Sequence, residues 1–156
     1  MGACERAVAR STEPLCSFPP MHSYPDNFEA ISEKFEAQGF ESLSPAEQVA
    51  YCIWWLEGEV NNGGFDQFFL NSAGGFYSET CAALTTIGAH KTRELLEAAC
   101  AVSFPGAPPR DHKQRNAIQA SGDEVDKRLN ALDQKFFAYE DDLELMVNKF
   151  LAAHGT

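Results

Sequence analysis

The feature that most constrains the fold is an apolar helical pattern that starts at a capping box and stops at paired glycines. Residues 44–47 (Ser-Pro-Ala-Glu) form a capping box with proline at the first helical position. Apolar residues follow at i, i+4, i+7 and i+11, and aromatic residues cover much of the remaining surface: Val49, Ile53, Leu56 and Val60, with Tyr51, Trp54 and Trp55. A helix that is apolar on most sides is usually central and buried.

The rest of the chain repeats this helical periodicity, and no segment shows the sustained alternation of a β-strand. Further helices are predicted at 26–38, 66–71, 78–87, 91–103, 112–120, about 123–136 and 141–154. Ser121 and Asp123 are the candidate caps of the penultimate helix. We therefore predict an all-α fold, a single compact bundle of about six to eight helices at residues 24–156. Residues 1–23 contain three prolines and are predicted to be a flexible N-terminal tail.

The charge of the chain is strongly negative and uneven. The net charge is −11, and the segment from Asp26 to Asp66 contains nine acidic residues and one base, Lys34. Such a charge disfavours direct binding to nucleic acid or to an anionic membrane and favours a basic partner. Five cysteines in an odd, unpaired pattern indicate a reducing, cytoplasmic setting. No apolar run is long enough for a membrane span, and the first residues lack the apolar core of a secretory signal.

The first predicted helix has an almost purely anionic face. At about 100° per residue, its acidic side chains fall in one narrow arc, opposite its apolar ones: Asp26, Glu29, Glu33 and Glu36, opposite Phe28, Ile31 and Phe35. A charged face is ordinarily only solvated, but ordinary surfaces mix both signs. Carboxylates at this spacing lie about 5–6 Å apart at Cβ. A rigid face of this kind can imitate a run of DNA phosphates.

Catalytic interpretations of the sequence are weaker than structural ones. Residues 61–65 lack the lysine of a phosphate-binding loop and are better explained as a turn whose amides satisfy free backbone groups. Glu57, Glu59 and Asp66 could form a carboxylate cluster, but no histidine lies nearby at metal-binding spacing. Cys52 with His90 could form a nucleophile pair, although inert burial of Cys52 is favoured. We predict no catalytic residues, no metal and no cofactor.

The stretch after the central helix carries a recognisable pattern of glycines, amides and phenylalanines: Glu59, Asn62, Gly63, Gly64, Phe65, Gln67, Phe68, Phe69, Asn71 and Gly74. With the capping box upstream and residues 142–150 downstream, it resembles the signature of the bacterial DNA mimic protein (DMP type) family, a domain family of otherwise unknown function. The resemblance covers about residues 28–153. It implies an all-α fold and an acidic homodimer that occupies the DNA-binding surface of a repressor-type transcription factor.

We therefore expect an acidic interaction protein, not an enzyme, that acts as a DNA mimic on a basic DNA-binding protein such as a transcription factor. The candidate partner-binding residues form two groups: Asp26, Glu29, Glu33, Glu36 and Glu41, and a second patch of Asp141, Asp142 and Glu144. The pattern residues from Glu59 to Gly74 are expected to hold the fold. Two alternatives remain: an immunity-type protein that neutralises a basic toxin, and a carboxylate-dependent hydrolase that uses Glu59 and Asp66.

Overall fold

The computed structural model describes residues 28–154, which form seven α-helices and two short 3-10 helices. The α-helices are α1 Phe28–Gln38, α2 Pro45–Leu70, α3 Tyr77–Ile87, α4 His90–Ser103, α5 His112–Ile118, α6 Asp123–Phe136 and α7 Leu143–His154; the 3-10 helices are Phe40–Ser42 and Ser72–Phe76. Residues 28–154 contain no β-strand, so the predicted all-α class is confirmed. The predicted tail at 1–23 and the candidate residue Asp26 lie outside the described residues.

Helix α2 is the centre of the bundle. It packs against α1, α3, α4, α5, α6 and α7. The side chains of Ile53, Leu56 and Val60 are fully buried. The capping box is formed at the N-terminus of α2: the Ser44 N–H donates to Glu47 Oε2 at 2.7 Å, and the Glu47 N–H donates to Ser44 Oγ at 3.3 Å. The sequence therefore predicted both the start and the central position of this helix correctly.

A sharp kink divides α2 at the paired glycines. Gly63 and Gly64 have non-helical backbone angles, and Gly64 has φ 75° and ψ −176°, a conformation that is essentially restricted to glycine. The short helical segment after the kink places Phe65, Phe68 and Phe69 in the core. The predicted turn and the separate short helix that follows it are thus both present.

Helix α1 is attached to α2 by stacked aromatic rings. The ring of Phe28 lies 3.8 Å from that of Trp54, and the ring of Phe35 lies 4.4 Å from that of Tyr51. Ile31 between them is buried. Since Phe28 meets the later residue of α2 and Phe35 the earlier one, the two helices run antiparallel. The apolar side of α1 is covered by α2, and its acidic side faces away from the core.

The helix caps near the C-terminal end differ from the prediction. Gly122 is the N-cap of α6 and makes no side-chain cap bond, so neither Ser121 nor Asp123 has the predicted role. Helix α7 begins at Leu143, and Asp142 caps it by accepting a hydrogen bond from the Leu145 N–H at 3.0 Å. Among residues 28–154, no helix is long and apolar enough to cross a membrane.

Candidate partner-binding surface

The first candidate surface is the α1 acidic face, defined as Glu29, Glu33, Glu36 and Glu41. All four side chains are exposed. The first three lie on α1, and Glu41 lies on the 3-10 helix that follows. Because α2 covers the opposite side of α1, these carboxylates point into solvent. The structure therefore brings together every described residue of the first predicted group.

The one base in this part of the chain is already paired. Lys34 Nζ lies 2.7 Å from Glu47 Oε2, the same oxygen that closes the capping box of α2. The hydrogen bond from Lys34 and the backbone N–H of Ser44 hold the pKa of Glu47 below its ordinary value. Since the Lys34 charge is directed at Glu47, the α1 acidic face keeps a single sign.

The spacing of the α1 acidic face can be compared with that of DNA. With a rise of about 1.5 Å per residue, Glu29 and Glu33 are separated by about 6 Å along the helix, and Glu33 and Glu36 by about 4.5 Å. One DNA strand carries a phosphate about every 3.4 Å of axis, and the duplex one about every 1.7 Å. Helix α1 alone therefore has about one carboxylate for every one to two phosphates of a single strand. Acidic residues of other helices are needed to approach the charge density of the duplex.

The second candidate surface is a pocket between α2 and α7, called here the Tyr139 pocket. It has a volume of about 550 Å³ and is lined by Glu57, Tyr139, Asp142 and Glu144. The Tyr139 hydroxyl donates to Glu57 Oε1 at 2.9 Å and accepts from Asn61 Nδ2 at 2.7 Å. Glu57 thus joins the predicted Asp142 and Glu144, a neighbour that sequence reasoning missed because 85 residues separate it from Asp142.

Asp141 does not belong to an exposed acidic patch, which corrects the prediction. Its side chain is buried, and its Oδ2 accepts a hydrogen bond from the Thr92 N–H at 2.7 Å. Thr92 lies in the first turn of α4, whose N-cap residue Ala89 has no side-chain acceptor. Asp141 therefore satisfies a backbone donor that helix starts leave free, and its charge is used inside the fold.

The two candidate surfaces follow one another along α2. Contacts with α1 run from Glu47 to Trp54, and Glu57 lies one helical turn beyond Trp54. The N-terminal end of α1 is therefore next to the part of α2 that precedes the Tyr139 pocket.

The glycine-amide pattern, in contrast, is used for structure. The buried Glu59 accepts hydrogen bonds through Oε2 from Gln67 Nε2 and from Asn71 Nδ2, each at 2.8 Å. These bonds join the two sides of the α2 kink. That Glu59, Gln67 and Asn71 hold the fold stays a prediction, and these contacts show the bonds through which they would do so. In the predicted turn at 61–65, Asn61 donates through its side chain to the Tyr139 hydroxyl at 2.7 Å and not to a free backbone group.

The glycines of the pattern permit close packing. A Cβ atom on Gly64 would lie 2.3 Å from Asp133 Oδ2, and one on Gly74 would lie 2.8 Å from the Phe68 carbonyl oxygen. Asp133 Oδ1 accepts a hydrogen bond from the Phe65 N–H at 2.9 Å, just after the kink. Burial raises the pKa of this carboxyl group. Among the pattern residues, Asn62 is exposed and lies at the surface of the kink.

Sequence reasoning missed the roles of Asp133 and Arg115. Asp133 had a readable signal, since it lies four residues after Leu129 and three before Phe136, on the apolar side of α6. Arg115 had no readable signal in the sequence, because α5 is short and its other residues are mostly polar. It is fully buried and donates to four backbone carbonyls, those of Phe69 and Asn71 at 2.6 Å, Arg110 at 2.9 Å and Pro109 at 3.0 Å.

The residues of the catalytic alternatives are held apart by different partners. Glu57 bonds Tyr139, Glu59 bonds two amides, and Asp66 accepts from Gln119 Nε2 at 2.8 Å. Burial raises the pKa of Cys52 to about 12, so its thiol is protonated at neutral pH. In the described part of the chain, no three His, Cys, Asp or Glu side chains are grouped so that they could hold a metal ion.

The fold and its surface define a class: an all-α protein with a closed, internally bonded glycine turn and exposed carboxylates on neighbouring helices. Residues 41–154 match the family model described as DMP19-like protein, and the chain belongs to that family. The match includes Glu41, the glycine-amide pattern and the Tyr139 pocket, and it begins after α1. No curated protein and no solved structure matches the chain.

Proposed function

We propose that this protein is an acidic interaction protein that binds the DNA-binding surface of a basic DNA-binding protein, such as a transcription factor, as a DNA mimic. The proposed role is binding and not catalysis. The observation that carries it is the single-sign surface. Residues 24–90 contain ten acidic residues and one base, Lys34, which is paired with Glu47. Of these acids, Glu57 and Glu59 are buried and Glu79 is paired with Arg110, whereas the four of the α1 acidic face are exposed. Membership of the DMP19-like family is consistent with this role.

The electrostatic reasoning predicts how such binding responds to salt. Exposed carboxylates interact with a basic surface over about one Debye length, about 8 Å at physiological ionic strength and about 3 Å at 1 M. The partner would bind this protein with the same basic side chains that bind DNA phosphates. Binding through these side chains weakens as the salt concentration rises. Capture of the partner should therefore weaken steeply between low and half-molar salt.

The decisive experiment is competition with duplex DNA. The full chain is immobilised, proteins are captured from lysate of the source organism at low salt, and duplex DNA is added as competitor. We expect a basic DNA-binding protein to be released by the DNA, and the free chain to displace that protein from labelled duplex. A captured protein that DNA cannot displace would contradict mimicry and would instead match the immunity-type alternative.

A matched pair of variants tests whether position matters and not only net charge. The triple substitution E29K/E33K/E36K reverses the α1 acidic face, and E94K/E97K/E124K reverses three exposed acids on α4 and α6. Both raise the net charge by the same amount. We expect the first variant to lose DNA-competed capture and the second to retain most of it. Both should keep a helical circular dichroism spectrum, because exposed substitutions usually change stability by only about 0.5 kcal/mol each. Equal losses would contradict the α1 assignment.

A further inference from the structure

Exposed apolar side chains in the described residues are concentrated in the segment of the chain that contains Tyr139. Five large apolar or aromatic side chains are exposed, and three of them lie between residues 137 and 145: Leu70 and Ile118, and then Phe137, Tyr139 and Leu145. The last three lie between the end of α6 and the first turn of α7. Tyr139 lines the pocket that Asp142 and Glu144 also border, and Phe137 and Leu145 lie within two residues of these lining residues along the chain. Grouped exposed apolar side chains mark an interaction surface more strongly than scattered ones.

The Tyr139 ring is held in a fixed position at this pocket. Its hydroxyl is bonded to both Glu57 and Asn61, so two side chains of α2 hold the ring through its hydroxyl group. Tyr139 is also the one non-glycine residue among residues 28–154 with a positive φ, 48°. Tyr139 is nevertheless 39% exposed. The pocket thus combines a partly exposed aromatic residue with the carboxylates of Asp142 and Glu144, while the buried Glu57 bonds the Tyr139 hydroxyl.

The chemistry of this combination selects a cation with a planar, partly apolar body. A guanidinium group pairs with carboxylates through parallel N–H donors and also stacks on aromatic rings. The aliphatic stem of arginine can lie along apolar side chains while its charge remains paired. A second copy of this chain is a poor occupant, because it would bring another strongly acidic surface against three carboxylates.

We propose that the Tyr139 pocket receives an arginine side chain of the basic partner. This inference rests on the proposed function, since it specifies which partner residue is recognised. DNA-binding surfaces use arginine for bidentate contacts with phosphate and guanine. The pocket would occupy one such arginine, whereas the α1 acidic face would neutralise the surrounding basic surface.

The test uses the full chain and a single-arginine probe. N-acetyl-arginine amide is titrated against the isotope-labelled protein, and chemical shifts are followed by two-dimensional NMR. N-acetyl-citrulline amide, of similar shape but uncharged, is the control ligand. We expect the arginine probe to shift resonances of Glu57, Tyr139, Asp142 and Glu144, and the citrulline probe to leave them unchanged. Equal shifts with both probes, or shifts confined to α1, would overturn the proposal.

Two double variants with the same change in charge sharpen the test. D142N/E144Q removes two carboxylates of the pocket, and asparagine can still cap α7. E29Q/E36Q removes two from the α1 acidic face. We expect D142N/E144Q to weaken the probe about tenfold, the loss of one to two charged hydrogen bonds, and E29Q/E36Q to leave it nearly unchanged. Equal effects, or shifts at these residues that depend on protein concentration without the probe, would overturn the proposal in favour of non-specific attraction or self-association.

The two proposals can fail separately. If DNA-competed capture of the partner is unchanged by D142N/E144Q, the arginine pocket is wrong and the DNA-mimic function stands. If capture is not competed by DNA but the arginine probe still shifts the pocket residues, the pocket stands and the mimic function is wrong.

Discussion

The glycine-amide pattern and the α1 acidic face use polar side chains in opposite ways. In the pattern, the buried Glu59 is bonded to two amides, and the backbone after the kink is bonded to the buried Asp133 of α6. On α1, Glu29, Glu33 and Glu36 are exposed. The first region is conspicuous in sequence because several of its residues have a specific bonding partner or a close neighbour. The second has no such pattern, because its property is a summed charge.

Under the proposed function, the most recognisable stretch of the sequence is not the binding surface. In the pattern, a single substitution removes a specific bond or creates a clash, so its cost should appear in the free energy of unfolding. On the acidic face, a single substitution changes one charge among several and should affect only binding. The following changes test this contrast, from the largest expected effect to the smallest.

The largest effect is expected from Arg115→Met. Removing the guanidinium leaves four carbonyl groups without their donor in a buried site, so we expect a loss of about 3–5 kcal/mol in the free energy of unfolding. Urea denaturation measures it. Lys113→Met, on the exposed side of the same helix, is the control and should lie within about 0.5 kcal/mol of the parent. Similar losses in the free energy of unfolding for the two variants would contradict the contrast between buried and exposed polar residues.

An intermediate effect is expected from Gly64→Ala. The new Cβ would require a glycine-only backbone conformation and would displace Asp133, whose bond to the Phe65 N–H would be lost. We expect a destabilisation of about 3 kcal/mol. Gly88→Ala is the matched control, because Gly88 also has a positive φ but has open space around its Cβ position. It should cost only about 1–2 kcal/mol, and thermal unfolding of both variants would reveal the difference.

The smallest effect is a pH dependence at Glu47, which lies between the two regions. Its pKa in the folded state is below its ordinary value, mainly because Lys34 and the Ser44 N–H bond the ionised form. The stabilisation that ionised Glu47 provides is therefore complete above the pKa that Glu47 has in the unfolded chain. It is lost as the pH falls through the lowered pKa of the folded state. The stability difference between the parent and Glu47→Gln should shrink below about pH 4.5, from no more than about 1 kcal/mol. A difference that grows on acidification would contradict this origin.

Local signals in the sequence were sufficient for the helices but not for the site. The capping box, the glycine pair and the apolar periodicity of α2 each act within a few residues, and each was read correctly. Asp141 was misassigned because its partner, the Thr92 N–H, is 49 residues away. The predicted second acidic patch lacked Glu57 for the same reason, since only the packing of distant segments brings Glu57 to the Tyr139 pocket. Distant backbone donors and neighbours have no signature in a single sequence.

The uneven charge has a further consequence for the rate of association. Residues 24–90 carry a net charge of −9, and residues 91–156 carry eleven acidic and nine basic residues, or −2. The acids of α1 are exposed and unmatched, whereas α4 and α6 carry charges of both signs, so the potential at α1 is the more negative. We expect a basic surface to attract α1 before it attracts α4 or α6. Salt should then slow the encounter more than it hastens the escape of a complex once formed.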